Sequence, residues 1–373
     1  MDAIELYDEL TAACTRPVRL EQLVIDGAAR DPELLPTAAE LDAERARPLA
    51  DKHGIELRQG QFAADVLSDP RTGRHLVETM LRPTPEALAR LEEFKAEGRI
   101  DLGTVLVERR GNAGVLELRN PRHLNAEDGS TIWPSEWAVD LILLDPEIEV
   151  GVLRGGFVDH PRYPSQRIFG AGLNLTDLYE GRLDFLFFLV RDLAYVNKIF
   201  RGLLHEDGTV TEKLWIAAVE RYAIGGACQL LHVVDHVIAA RGSRLFLPAR
   251  KEGIIPGASP LRLPRSVGDR AARQAILSGR EWVAGEPDAA LLCDEVVEVD
   301  QVDGAIDART AALTDSGLVN AAANRAAMRI GEEPLDTFRE YMALFSIEQA
   351  RCHLSPALVK NLERHWTGRE RAA

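Results

Sequence analysis

The chain is poor in the features that mark several broad classes of protein. It has four cysteines, Cys14, Cys228, Cys293 and Cys352, widely spaced and without a C-x-x-C pair, so neither a disulfide framework nor a structural zinc site is expected. Basic residues are in deficit, 44 Lys and Arg against 59 Asp and Glu, for a formal net charge of -15. Nucleic-acid binders draw affinity from neutralising phosphates, so nucleic acid is not an expected partner and any anionic ligand has to be held locally. No stretch approaches the ~20 apolar residues of a membrane span, and the start MDAIELYDEL lacks the basic and apolar regions of a secretory leader. The expectation is a cytoplasmic protein without membrane association. Neither G-x-G-x-x-G nor G-x-x-x-x-G-K-[ST] follows a strand pattern, so no nicotinamide, flavin or ATP site is expected.

What is present points to a large core. The 373 residues are 46% hydrophobic, enough for one or two domains of ~100–200 residues. The texture changes near residue 100. Before it, PTAAELDAERARPLADKHG and TPEALARLEEFKAEG are rich in helix formers, with Leu88, Leu91 and Phe94 spaced for one helical face. Pro85 in a first turn and Gly98 past the last supply start and stop signals. After it, TVLVERRGNAGVLELRNP predicts a β-hairpin around Gly-Asn-Ala-Gly. A helix around WAVDLILLD, a strand IEVGVLRGG, a helix FLFFLVRDLAYVNKIF, a strand LWIAAVE and a helix after AIGGACQ follow. Such alternation implies an α/β fold with parallel βαβ units covered on both faces. From about Asp315 the chain reads as helical again, with an apolar stripe of Phe338, Tyr341, Met342 and Phe345 that suits core or subunit contact. The expected organisation is a helical N-terminal region over 1–100, a core over 101–310, and C-terminal helices over 311–373 that serve oligomerisation or cover the active site.

Two glycine-rich loops carry the chemical signal. Phe169-Gly-Ala-Gly-Leu-Asn-Leu175 lies between a strand and a helix, where glycines let backbone approach a ligand without an intervening Cβ. Ala223-Ile-Gly-Gly-Ala-Cys-Gln229 follows a strand and opens a helix, so its free N–H groups sit at a positive dipole end. Either loop alone is compatible with packing. Cys228, His232 and His236 recur at i, i+4 and i+8 on the helix expected there. A metal site on that face is disfavoured, because catalytic metals gather ligands from more than one element, and His236 beside Asp235 reads equally as a buried hydrogen-bonded pair.

The ordered set Leu118-Arg119-Asn120-Pro121, Phe169-x-Ala-Gly-x-Asn174, Ala223-Ile-Gly-Gly-Ala-Cys-Gln229 and Gly253-Ile-Ile-Pro-Gly-Ala258 resembles the motifs of the crotonase (enoyl-CoA hydratase/isomerase) superfamily. The resemblance implies a spiral of ββα repeats, an acyl-CoA substrate, and an oxyanion hole made by the N–H groups of Leu173 and Gly226. Hydratases of that superfamily carry paired glutamates where this chain has Gln229 and Ala249, so simple hydration is not expected. Asn125-Ala-Glu-Asp128, the run Leu247–Ala258 and the helical N-terminal region resemble its cofactor-independent dioxygenase branch, which acts on a dihydroxyphenylacetyl thioester in the supply of dihydroxyphenylglycine for glycopeptide antibiotics. That resemblance implies substrate-contacting roles for Glu127, Arg191 and Gln229, O2 as co-substrate, no metal or organic cofactor, and a homo-oligomer, either a trimer or a dimer of trimers. Bland readings stand beside these: Glu127 as a first-turn acid, Arg191 as a charge paired with Asp192 or another carboxylate, and Gln229 as a cap. Two other functions stay open, another crotonase-type reaction (thioesterase, isomerase or decarboxylase) and non-catalytic acyl-CoA binding. No residue is assigned as acceptor of the α-proton.

Overall fold

Seven strands form the main sheet, in the order Arg99–Asp101, Val105–Arg110, Ala113–Leu118, Val150–Gly155, Leu214–Val219, His236–Ala240 and Glu295–Val297. The structure is a computed structural model that describes residues 1–315 and 317–367. Ser316 and the tail of the expected C-terminal helical stretch, 368–373, lie outside the described residues. The first three strands are antiparallel, the hairpin turning at Gly111, and each later one adds in parallel. Parallel neighbours require crossovers, and Ile132–Leu144 is the first helix to supply one. Val115, Val152, Ile216 and Ile238 pack on one face under Val302, Ala305 and Ile306 of the helix Val302–Thr314. Their neighbours Leu116, Leu153, Ala217 and Ala239 enter the larger core on the other face. Both faces are therefore dry, which is why the central strands read as unbroken apolar runs. A second sheet of three strands pairs Tyr222–Ile224 in parallel with Arg244–Phe246, and Glu281–Val283 antiparallel to the latter.

Six α-helices precede the first strand. The last of them, Pro85–Glu97, starts and stops where the sequence predicts: the Thr84 hydroxyl accepts from the Ala87 N–H, and Gly98 closes the helix at φ 64°. The long C-terminal helix Leu335–His353 packs along Leu57–Ser68, where a Cβ on Gly60 would lie 2.7 Å from that of Ala350. Phe338, Met342 and Phe345 of its stripe are buried, while the Tyr341 hydroxyl donates to the Gly257 carbonyl.

The structure corrects two expected helices. FLFFLVRDLAYVNKIF is two helices, Leu186–Leu193 and Tyr195–Arg201, broken at Ala194 (φ -101°, ψ -106°). No Gly or Pro marks the break, yet the turn re-aims the second half. Lys198 then reaches Glu136 and Asp140, both at 2.7 Å, in the interior. The helix after AIGGACQ spans only Gly226–Leu230, and His236 opens a strand. The one-faced row of Cys228, His232 and His236 therefore does not exist. Nor do Asp235 and His236 pair: Asp235 accepts from Arg325 Nε at 2.7 Å, and His236 lies by Asp294 and Glu295.

His353, fully buried, has its ring centroid 6.3 Å from that of Phe185 and 5.4 Å from that of Phe188. Glu56 Oε2 is 3.9 Å away, but the ring nitrogens have no hydrogen-bond partner among the described residues. Burial, with Lys52 nearby, pushes the imidazole down to about 3 from 6.5. It is thus neutral despite the neighbouring carboxylate. A folded value below the unfolded one means that unfolding takes up protons. This contribution to stability is whole above pH 6.5 and is lost progressively as pH falls towards 3. Urea midpoints measured from pH 7 to pH 4 are expected to fall less steeply in His353→Phe than in the wild type; parallel curves would mean that His353 is not held neutral.

Candidate active site

The site is assembled where the two glycine loops run side by side. Gly155 ends its strand against the returning chain so closely that a Cβ there would sit 1.8 Å from the Ile168 carbonyl oxygen. This folds the segment after it back over the sheet. Gly170 then pairs in parallel with Ala223, through Gly170 N–H to Tyr222 O (3.1 Å) and Ile224 N–H to Gly170 O (3.0 Å). Beyond this pair Gly172 and Gly225 lie side by side, a Cβ on Gly225 reaching 3.5 Å from the Gly172 Cα, and Leu173 and Gly226 both line the cavity. Gly172 (φ 82°) and Gly225 (φ 52°), the residues just before these two, adopt backbone that a side chain would strain. Among the described residues, neither the Leu173 N–H nor the Gly226 N–H donates a hydrogen bond.

The segment Asn125–Asp128 is fastened to the first loop from both sides. Asn125, left-handed at φ 57°, donates its side-chain amide to Gly156 O and Ile168 O. Asp128 accepts from the Asn120 and Asn174 amides at 2.8 and 2.9 Å. Between them the Glu127 backbone pairs with Gly172 and Asn174, leaving its side chain for the cavity. Glu127 is therefore not a first-turn acid of the following helix, which begins at Ile132.

Arg191 ties the parts together. Its Nε donates to Glu127 Oε1 at 2.9 Å, Nη1 to Gln229 Oε1 at 2.8 Å and Nη2 to the Gly226 carbonyl at 2.8 Å. The side chain is buried, and burial opposes its charge, but Glu127, Tyr195 and Asp192 together more than offset this and keep the guanidinium protonated. Asp192, 3.6 Å from Arg191, accepts instead from the Ala258 N–H; its burial raises the carboxyl above the usual range. Tyr195 donates its hydroxyl to Glu127, and burial holds that phenol protonated.

Glu127, Leu173, Arg191, Gly226 and Gln229 all line one cavity. Glu252 and the segment Ile254–Gly257 line it too, and the C-terminal helix holds that segment through Gln349, whose Oε1 accepts from the Ile255 N–H at 2.9 Å, and through Tyr341. The cavity measures about 30 Å³, room for a molecule the size of water or dioxygen. Two residues here carry no motif. Tyr195 stands four places after Arg191, a spacing that would have paired them on one helix; Glu252 lies inside the run Leu247–Ala258 with nothing to distinguish it. Among the described residues no group of three or more His, Cys, Asp or Glu is placed to hold a metal ion.

Comparison with known proteins adds the following. Residues 108–344 match the family model described as enoyl-CoA hydratase/isomerase. The chain is 48% identical over 353 residues to the (3,5-dihydroxyphenyl)acetyl-CoA 1,2-dioxygenase of Amycolatopsis orientalis, covering 93% of this chain and 80% of the relative. It is 30% identical over 200 residues to the 2,3-dehydroadipyl-CoA hydratase of Escherichia coli, covering 53% of this chain and 71% of that one. Among solved structures, an enoyl-CoA hydratase from Mycobacterium avium subsp. paratuberculosis superposes with a TM-score of 0.57 at 19% identity, over 73% of this chain and 97% of the other. That likeness bears on the fold alone.

Proposed function

The chain belongs to the enoyl-CoA hydratase/isomerase family, and from that premise we propose that it is a dioxygenase converting 3,5-dihydroxyphenylacetyl-CoA and O2 into 3,5-dihydroxyphenylglyoxylate and coenzyme A. What carries the reading is the reach of the similarity to the Amycolatopsis enzyme, which takes in the helical N-terminal region, whereas the E. coli hydratase is matched over little more than half the chain. The site's composition supports it. A hydratase needs acids and bases to move protons to and from water, but Gln229 is an amide and Glu127 is locked to Arg191 and Tyr195.

In this reading the thioester oxygen sits between the N–H groups of Leu173 and Gly226, which take up negative charge as the α-carbon loses its proton. Each such donor is worth roughly 3 kcal/mol in the barrier. The electron-rich aryl enolate passes one electron to triplet oxygen, and recombination places a peroxide on the α-carbon. The peroxide attacks the thioester carbonyl and expels coenzyme A; O–O cleavage with loss of the second α-hydrogen leaves the α-keto acid. Glu127 and Gln229 anchor ring hydroxyls or the reacting group, and Arg191 orients the thioester or peroxide. No metal or organic cofactor takes part in this scheme. The cavity as it stands is too small for an aryl thioester, so binding one requires it to widen. The reading extends to a cytoplasmic homo-oligomer, trimer or pair of trimers, serving antibiotic biosynthesis.

The test mixes metal-stripped protein with 3,5-dihydroxyphenylacetyl-CoA and follows oxygen uptake with thiol release. Equal consumption of oxygen and release of thiol, abolished without air and indifferent to chelator, is the expected result. Thiol release without oxygen uptake would replace the dioxygenase with a hydrolase on the same hole.

A further inference from the structure

We propose that Glu252 is the base that takes the α-proton of the thioester held between Leu173 and Gly226. The inference rests on the enolate chemistry proposed above and supplies the acceptor which that chemistry needs.

Three carboxylates line the cavity: Glu127, Asp192 and Glu252. The first accepts from Arg191 and Tyr195, and the second from the Ala258 N–H with Arg191 beside it. Donors already engage both of these carboxylates, so a proton taken up on either would have to displace a hydrogen bond or break an ion pair. The Glu252 carboxylate has neither a hydrogen bond nor an ion pair among the described residues. The residue ends the single-turn helix Ala249–Glu252, and Gly253 (φ 83°) turns the chain from there into the segment Ile254–Gly257. Glu252 is half-buried and lines the same cavity as Glu127 and Arg191.

The surroundings leave it free to titrate. Its own turn carries Arg250 and Lys251; the helix Pro356–Leu362 packed against it carries Lys360, and the turn Gln274–Ser278 has no ionisable side chain. The other ionisable groups of the cavity lining are Glu127, Arg191 and Asp192. Burial by itself pushes Glu252 up to about 7 from 4.5, close to where a general base works best at neutral pH. In the step itself the α C–H bond breaks and its electron pair forms the enolate double bond. The carbonyl π pair moves onto the oxygen facing the two N–H groups, and the proton forms an O–H bond on Glu252. No electrons leave the pair of reactants, so the step needs no oxidant.

The experiment is exchange of the α-hydrogens of 3,5-dihydroxyphenylacetyl-CoA in D2O without oxygen, followed by NMR. In the wild type, exchange is expected to rise through about pH 7 and level off above it, as the carboxylate form fills. Glu252→Gln is expected to lose at least about a hundredfold of the rate, with Glu252→Asp recovering part of it. Exchange at the wild-type rate in Glu252→Gln would overturn the assignment. So would a wild-type profile flat from pH 5 to 8, which needs no variant to fold. The dioxygenase reading fails separately: exchange that depends on Glu252 in a protein that takes up no oxygen would retain the base and discard the dioxygenase.

Discussion

Arg191→Met is expected to lower kcat/KM for the aryl thioester by at least about a hundredfold and to destabilise the fold by about 3–5 kcal/mol. The second figure follows from what the substitution leaves behind. Glu127 is 6% exposed, and without the guanidinium its negative charge stays buried with only the Tyr195 hydroxyl to meet it, the situation in which breaking an ion pair is most costly. The first follows from position, because Arg191 simultaneously holds Glu127, Gln229 and the Gly226 carbonyl, and displacement of reacting groups by about 1 Å can cost about a hundredfold in rate. Arg191→Lys keeps the charge but cannot present a planar fork to three acceptors at once, so it should fall between. The double variant Glu127→Gln/Arg191→Met separates the two effects. It is expected to regain most of the lost stability, measured by urea unfolding, since no buried charge is left unpaired, while activity stays low. A single variant as active and as stable as the wild type would remove Arg191 from the site.

Gly226→Ala should abolish turnover nearly as completely, by about a hundredfold to a thousandfold in kcat, through one methyl group. A Cβ on Gly226 would lie 2.1 Å from Glu127 Oε2 and 3.3 Å from Arg191 Nη2. A free glutamate could step aside at small cost, but this one is tied by Arg191 and Tyr195. The strain is therefore relieved by moving the Gly226 backbone, and its N–H is displaced. Gly304→Ala serves as the control: it lies in the helix Val302–Thr314 with nothing within 4 Å of an added Cβ, and should leave kcat unchanged while gaining up to about 1 kcal/mol of helix stability. Unaltered kcat in Gly226→Ala would show that no oxyanion donor sits at that residue.

The sequence by itself determined the fold class, because the signals involved are local. The hairpin at Gly111, the apolar strands Val150–Gly155 and Leu214–Val219, and the helix bounded by Pro85 and Gly98 each follow from the period and turn chemistry of a few neighbouring residues. The two glycine loops were legible for the same reason, since a missing Cβ marks close backbone approach wherever it occurs. Tertiary structure decided how the site is wired. Arg191 and Glu127 are 64 residues apart, and nothing in either segment says which carboxylate takes the guanidinium; Asp192, adjacent in sequence, looked equally suited. The break at Ala194 could not be seen in a stretch without Gly or Pro, yet it sets where Tyr195 and Lys198 point. The row of Cys228, His232 and His236 was an artefact of extending a helix that ends at Leu230. The unpaired state of Glu252 likewise depends on what the rest of the chain does not bring near it. A periodicity is a property of a segment, whereas the partner of a buried charge is chosen by desolvation cost among groups that only the folded chain brings together.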